Sequence, residues 1–249
     1  MLSQQFLLSV RLKELPPDSG YVSQLPVLRH LSQMGELPLP GGVTIFVGEN
    51  GVGKSTLLEA IAVAAGFNAE GGSMNSMFAT VETHSPLHGY LTLVRGTRRP
   101  KDGFFLRAES FYNVASNVDE LAKLPGGDRF LQRYGGQSLH AQSHGESFLS
   151  LVMHRFVPDG LYLLDEPEAA LSPMRQMTLL RALYDLAKAG SQIILSTHSP
   201  ILLSLPGATV YELSDDGICP TDWRETEHYR VTRAYLESPE RMLHYLMED

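Results

Sequence analysis

Three short apolar runs with little alternation mark the chain: Val43–Val47, Leu161–Leu164 and Gln192–Ser196. Runs of this kind suit strands buried on both faces of a mostly parallel sheet, since neither face meets water. Helical spacing follows the first two. After Ser55 come Leu57, Leu58, Ile61, Ala62 and Ala65, an amphipathic pattern. A second helix is predicted to start at Ser172 as N-cap, with Pro173 at its first position and Gly190 closing it. Strand–helix alternation of this type implies an α/β fold. The N-terminal part differs. Phe6–Leu12, Tyr90–Val94 and Phe104–Arg107 read as antiparallel strands, the last two joined as a hairpin through Arg95–Lys101. From Glu109 to Gln142 the pattern turns polar and glycine-rich, with short helices predicted around Val118–Lys123 and Arg129–Tyr134. No repeat, low-complexity tract or heptad run interrupts it.

Composition narrows the class without naming a function. The 249 residues, 43% apolar and 19% charged, lie within the ordinary globular range. No stretch approaches the about 18 apolar residues of a membrane span, and the N-terminus lacks the layout of a signal peptide. A cytoplasmic protein is the expectation. Cys219 is the single cysteine, so an internal disulfide and a cysteine-based zinc cluster are both excluded. A net charge of −8 argues against a surface that attracts nucleic acid everywhere. It leaves room for a local basic site, and Arg95–Lys101 carries four basic residues in seven. Gly96 and Pro100 within it favour a solvated hairpin tip over a binding site.

The chemistry begins at Gly48-Glu49-Asn50-Gly51-Val52-Gly53-Lys54-Ser55, followed by Thr56, which fits G-x-x-x-x-G-K-[ST] between an apolar strand and a helix. Glycines let successive backbone N–H groups wrap phosphate oxygens with no Cβ in the way. Lys54 is expected to reach the β- and γ-phosphates, Ser55 to ligate Mg²⁺, and the helix N-terminus to add its positive end. The chain is expected to bind a nucleoside triphosphate through Asn50, Gly51, Val52, Gly53, Lys54, Ser55 and Thr56.

The second apolar strand ends in Asp165-Glu166, at the sheet edge where ligands bind in open α/β folds. Asp165 is suited to hold Mg²⁺ through water, and Glu166 to orient and deprotonate the attacking water. Taken alone, such a pair could equally open a helix; the phosphate loop upstream favours chemistry. His198 follows the third strand in Leu195-Ser196-Thr197-His198-Ser199-Pro200, placed to donate a hydrogen bond to a γ-phosphate. The other histidines read as structural.

In this order the parts resemble the ABC ATPase superfamily over Val43 to Pro200. Gly48–Ser55 is similar to its Walker A motif, Leu161–Glu166 to its Walker B, and His198 to its switch histidine. Gln142-Ser143-His144-Gly145-Glu146-Ser147 resembles its signature motif, and Glu168-Ala169-Ala170-Leu171-Ser172 its D-loop. The resemblance implies a P-loop NTPase with an ABC ATPase-like mixed sheet, N-terminal antiparallel strands and a small helical subdomain. It implies one domain over 1–249, with a RecA-like core at 1–108 and 149–249 and a signature-bearing segment at 109–148. It also implies that Ser143, Gly145 and Glu146 face the γ-phosphate bound by a second copy, giving an ATP-dependent, two-fold homodimer.

The sequence departs from the family pattern in places. His144 stands where glycine is usual, Glu146 where glutamine is frequent, and Ser172 where transporters carry aspartate. Glu109 is the positional stand-in for the metal-touching Q-loop glutamine, and Tyr21 for the adenine-stacking aromatic. The wording of EPEAALSP and STHSP looks more like the repair- and defence-associated branch than like transporter subunits. The leading expectation is an ATPase clamp working with ATP and Mg²⁺ on nucleic acid or on a separate effector protein, because too little chain follows Pro200 for a nuclease domain. A transporter ATPase subunit and a nucleotide-gated binding module with negligible turnover are the alternatives. No N-K-x-D motif supports a GTPase.

Overall fold

The strands predicted to be buried on both faces feed two separate cores. In the computed structural model, which describes residues 5–16, 21–74, 85–125 and 127–248, β1 (Leu7–Leu12), β2 (Glu36–Pro38) and β5 (Leu91–Arg95) form an antiparallel sheet of order β2-β1-β5. A seven-stranded sheet holds the rest. It comprises β3 (Val43–Gly48), β4 (Gly72–Ser73), β6 (Asp102–Arg107), β7 (Gly160–Asp165), β8 (Gln192–Ser196), β9 (Thr209–Leu213) and β10 (Ile218–Thr221), in the order β10-β9-β3-β8-β7-β6-β4. The five inner strands run parallel, and β10 and β4 are antiparallel edges.

Alternation along each inner strand splits its side chains between the cores. Phe46, Phe105, Leu161, Leu163 and Ile194 join the core shared with the small sheet. Ile45, Phe104, Tyr162, Leu164 and Leu195 enter the core on the opposite face. Between the sheets lies α2 (Lys54–Ala65), packed on β5 as well as on β7 and β8. That placement explains why it is buried almost all round, where the spacing of its apolar residues predicted a single buried face. The buried Gln192 side chain also ties the layers, accepting from the Phe6 and Leu7 N–H groups at 3.0 and 2.9 Å and donating to the Leu7 carbonyl at 2.8 Å.

The opposite face is covered by α3 (Phe111–Ala122), α5 (His144–Arg155), α6 (Pro173–Lys188) and the short α7 (Pro200–Leu203). α3 begins before the predicted short helix and contributes Phe111, Val114 and Val118 to this core. α4 (Gly127–Gln132) starts earlier than predicted, and α1 (Pro26–Met34) packs beside the small sheet. At the C-terminal side, α8 (Glu227–Glu237) and α9 (Pro239–Met247) bury none of their side chains.

The predicted basic hairpin is not formed. β5 and β6 belong to different sheets, and Arg95–Lys101 carries the chain between them. The reason lies in β6 itself: Phe104 and Phe105 point into opposite cores, so the strand needs cover on both faces and pairs in parallel with β7. The basic residues are partly spent on structure, since Arg98 and Lys101 bracket Asp159 at 2.7 and 2.6 Å.

Candidate active site

Parallel register brings the chemistry to one edge. Arg107 lies opposite Asp165, Asp165 opposite Ser196, and Ser196 opposite Phe46, so β6, β7, β8 and β3 end on one line. The four loops that follow therefore share one rim, as expected for ligand sites in such sheets.

At the end of β3 the chain turns through Glu49–Gly53 into α2. Gly53 has φ +100°, a conformation that side-chain-bearing residues avoid, and a Cβ there would meet Val27 Cγ1 at 2.5 Å. α1 thus presses on the loop, and the Val27 N–H also donates to the Val52 carbonyl at 3.2 Å. Asn50 and Gly51 are exposed, while Val52, Gly53 and Lys54 are buried. Lys54 Nζ donates to the Glu49 carbonyl at 3.0 Å. Burial pushes the Lys54 ammonium down from its usual value, with Glu166 and Asp165 pulling the other way. A buried ammonium in a glycine-walled loop at a helix N-terminus fits an incoming polyphosphate, because phosphate would supply the missing counter-charge.

Asp165 is buried and held on both sides. Ser196 Oγ donates to Oδ1 at 2.5 Å, and Arg107 Nε stands 3.5 Å from Oδ2. Arg107 in turn donates to Glu59 Oε2 at 2.6 Å. Ser55, Thr56, Glu59, Arg107 and Glu109 line an open polar cavity of about 420 Å³. The Glu109 side chain is 85% exposed, beyond the end of β6, and lies 3.4 Å from Arg107 Nη2. Among the described residues no three His, Cys, Asp or Glu side chains converge as a metal cage. The donors present, a hydroxyl at Ser55 and a carboxylate at Asp165, fit an Mg²⁺ ion that keeps waters and shares phosphate oxygens rather than one enclosed by protein.

Glu166 follows directly in the left-handed conformation, φ +48°, which turns the chain sharply off the strand. Its N–H donates to the Ser196 carbonyl at 3.1 Å. Burial raises the Glu166 carboxyl above its usual range, the Asp165 charge adds to this, and Lys54 opposes it. His198 Nε2 stands 3.5 Å from Glu166 Oε1, and the His198 N–H donates to Glu168 Oε1 at 2.5 Å. Burial and then the Lys54 charge lower His198 to about 4, so the ring is neutral at pH 7.

Ser143, Gly145 and Glu146 form a second cluster at the start of α5. Ser143 caps the helix, and Glu146 Oε2 accepts from the Ser143 N–H at 3.1 Å and from Ser143 Oγ at 2.6 Å. Gly145 fits closely under the Ala170 carbonyl and the Arg175 guanidinium, where a Cβ would meet both within 2.8 Å. None of the three lines the cavity at Ser55. Tyr21 opens a short 3-10 turn, Tyr21–Gln24, and its side chain and that of His144 lie outside the described residues.

Two residues at these sites carry no motif. Arg175 bonds Glu146, and His228, in the first turn of α8, places Nε2 2.8 Å from His198 Nδ1. Their signal is spatial, since each lies about 30 residues in sequence from its partner.

Residues 139–204 match a family profile described as "AAA domain, putative AbiEii toxin, Type IV TA system", and residues 30–97 one described as "AAA domain". The cytochrome c biogenesis ATP-binding export protein CcmA of Rhodospirillum rubrum is 30% identical over 80% of this chain and 91% of its own. The vitamin B12 import ATP-binding protein BtuD of Salmonella typhimurium is 31% identical over 71% of this chain and 77% of its own. Among solved structures, cbiO1 from Clostridium perfringens, part of the ABC transporter complex cbiONQ, aligns over 98% of this chain and 100% of its own, with a TM-score of 0.50 at 18% identity. The fold is that of a P-loop NTPase of the ABC type. The chain belongs to the ABC ATP-binding family and is an ATPase.

Proposed function

We propose that the chain binds ATP with Mg²⁺ at the Lys54 loop and hydrolyses it between two copies of itself in the cytoplasm. Asn50–Thr56 wrap the phosphates, Lys54 neutralises the β- and γ-phosphates, and Ser55 and Asp165 hold the ion, with Glu109 at the cavity mouth. Bound Mg²⁺ would offset charge that develops on the phosphates. Glu166 orients the attacking water and takes its proton, which its raised carboxyl suits. His198 Nε2 donates to the γ-phosphate.

One observation carries the dimer. Within one protomer, Ser143 and Gly145 stand with Ala170 and Arg175 and take no part in the cavity at Ser55. A helix tip without a phosphate of its own is complete only against a partner's. In the two-fold pairing each serine-led helix start closes the other copy's site, and loss of the γ-phosphate loosens the pair. The Glu166→Gln variant tests this: it should bind ATP, turn over at least about a hundredfold more slowly, and sediment as a dimer only with ATP. A variant that stays monomeric at saturating ATP would sink the reading.

The relatives named as export and import ATP-binding proteins favour a second reading, an ATPase subunit that docks on a membrane partner. Among the described residues no helix is long and apolar enough to cross a membrane. Recovery of the native protein with the membrane fraction distinguishes this from an effector or nucleic acid reached in solution.

A further inference from the structure

We infer that His228 is a positioning residue for ATP turnover, holding the switch histidine His198 with its Nε2–H directed to the reacting edge of the site. The inference rests on the proposed role of His198 and adds a residue outside every recognised motif.

The first turn of α8 is fixed from three sides. Thr226, fully buried at its start, donates its hydroxyl to the Trp223 carbonyl at 2.7 Å. Glu212 Oε1, from β9, accepts the Glu227 N–H at 2.9 Å. The His228 ring then packs on His198, centroids 4.8 Å apart and tilted by 48°, with Nε2 2.8 Å from His198 Nδ1. α8 is exposed from Arg230 onward, so this first turn is where the helix meets the rest of the molecule closely.

Only one proton can lie between the two facing nitrogens, and the charge beside His198 Nε2 decides who gives it. If His198 Nδ1 were the donor, its bare Nε2 lone pair would face the Glu166 carboxylate 3.5 Å away, an electrostatic repulsion. The His228 ring would then carry its one N–H on Nδ1, which is buried and has no hydrogen-bond partner among the described residues. With His228 Nε2–H as donor the repulsion becomes an attraction, because the N–H left over then sits on His198 Nε2, 3.5 Å from the Glu166 carboxylate. His198 accepts at Nδ1 and carries its proton on Nε2, a buried atom otherwise without a hydrogen-bond partner. The low proton affinity of the His198 ring, neutral near pH 7, agrees with a single-tautomer role. Fixing a functional imidazole through a hydrogen bond to its other nitrogen is a general device.

The test compares His228→Phe, which keeps ring volume and loses the donor, with His228→Gln, which keeps an N–H donor. With ATP as substrate, kcat of His228→Phe should fall about tenfold, while KM and the ATP Kd stay within about twofold of the parent. His228→Gln should retain more than half of kcat. In a His198→Ala background, adding His228→Phe should cost nothing further. Parental kcat in His228→Phe, or equal losses in the Phe and Gln variants, would overturn the proposal. Full turnover in His198→Ala alone would instead remove the proposed role of His198, so the two failures are told apart. Should His228→Phe unfold, His228→Leu, which also lacks a donor, takes its place, and a parental kcat there overturns the proposal equally.

Discussion

Arg175 Nη2 lies 2.8 Å from Glu146 Oε1, and Nη1 of the same guanidinium lies 3.4 Å from Ser143 Oγ. Helix α6 thereby reaches over the start of α5 and supplies a positive charge where the family more often has a neutral glutamine at position 146. The Glu146 carboxyl is held below its usual range by the Ser143 hydroxyl and N–H first, and by Arg175. A carboxylate at a helix N-terminus suits the free protomer, because it satisfies orphan amides. It does not suit an arriving phosphate.

The pair therefore predicts a charge-balance phenotype. In the proposed dimer, Arg175→Ala should weaken ATP-dependent association by about tenfold, because an unbalanced Glu146 would then repel the partner's γ-phosphate. Adding Glu146→Gln to Arg175→Ala should restore dimerisation. Sedimentation in the Glu166→Gln background, over a range of protein concentrations with saturating ATP, reads both. A double variant as weak as Arg175→Ala alone would show that the arginine acts otherwise.

Lys54 supports a second prediction. Its ammonium is buried among Glu49, Asp165 and Glu166. Lys54→Met keeps much of the packing and removes the cation that would meet the phosphates. ATP affinity should fall at least about a hundredfold, as for loss of one partner of a buried charge pair. Calorimetric titration with ATP checks this, and parental affinity would remove the phosphate-loop assignment.

Much of this site was legible because its chemistry is local in sequence. Gly53-Lys54-Ser55 needs a strand before and a helix after, and Asp165-Glu166 closes an apolar run; each is a contiguous signal. The register that aligns Arg107, Asp165 and Ser196 was not legible, since parallel pairing depends on contacts distant along the chain. The hairpin reading failed for the same reason: turn-prone residues between two apolar runs look alike whether the chain reverses within a sheet or crosses between two. Arg175 and His228 act through partners far away in sequence, and neither residue type is unusual on an exposed helix.

His198 gives a signed pH dependence. Its folded-state value of about 4 lies below the usual 6.5. Between these values the unfolded chain binds more protons at this residue, so stability rises with pH. The contribution is fully present above about pH 6.5 and is lost as pH falls towards 4. Glu166 and Glu168, both raised mainly by burial, act with the opposite sign, and Lys54, Glu49, Asp165 and His228 also face the ring. The comparison is therefore between variants. Urea unfolding of the parent and of His198→Asn at about pH 5 and 7.5 should show a smaller loss of stability on acidification in the variant. Equal losses would place the acid sensitivity elsewhere.

Arg98 and Arg99, adjacent in the basic segment, should separate stability from nucleic acid binding. Arg98 pairs with Asp159 and lays its guanidinium 5.5 Å from the Phe6 ring centroid, so it braces a residue of the inter-sheet core. Arg98→Glu sets a like charge against Asp159 and should lower Tm by about 2–4 °C. Arg99 is exposed, and Arg99→Glu should leave Tm unchanged. A fall in any DNA-stimulated ATPase rate therefore reports on nucleic acid only when it is seen in Arg99→Glu, since the same fall in Arg98→Glu follows from a loosened fold. If duplex and single-stranded DNA leave the parent's rate unchanged, the segment serves the crossover between the sheets, and the effector is to be sought among proteins.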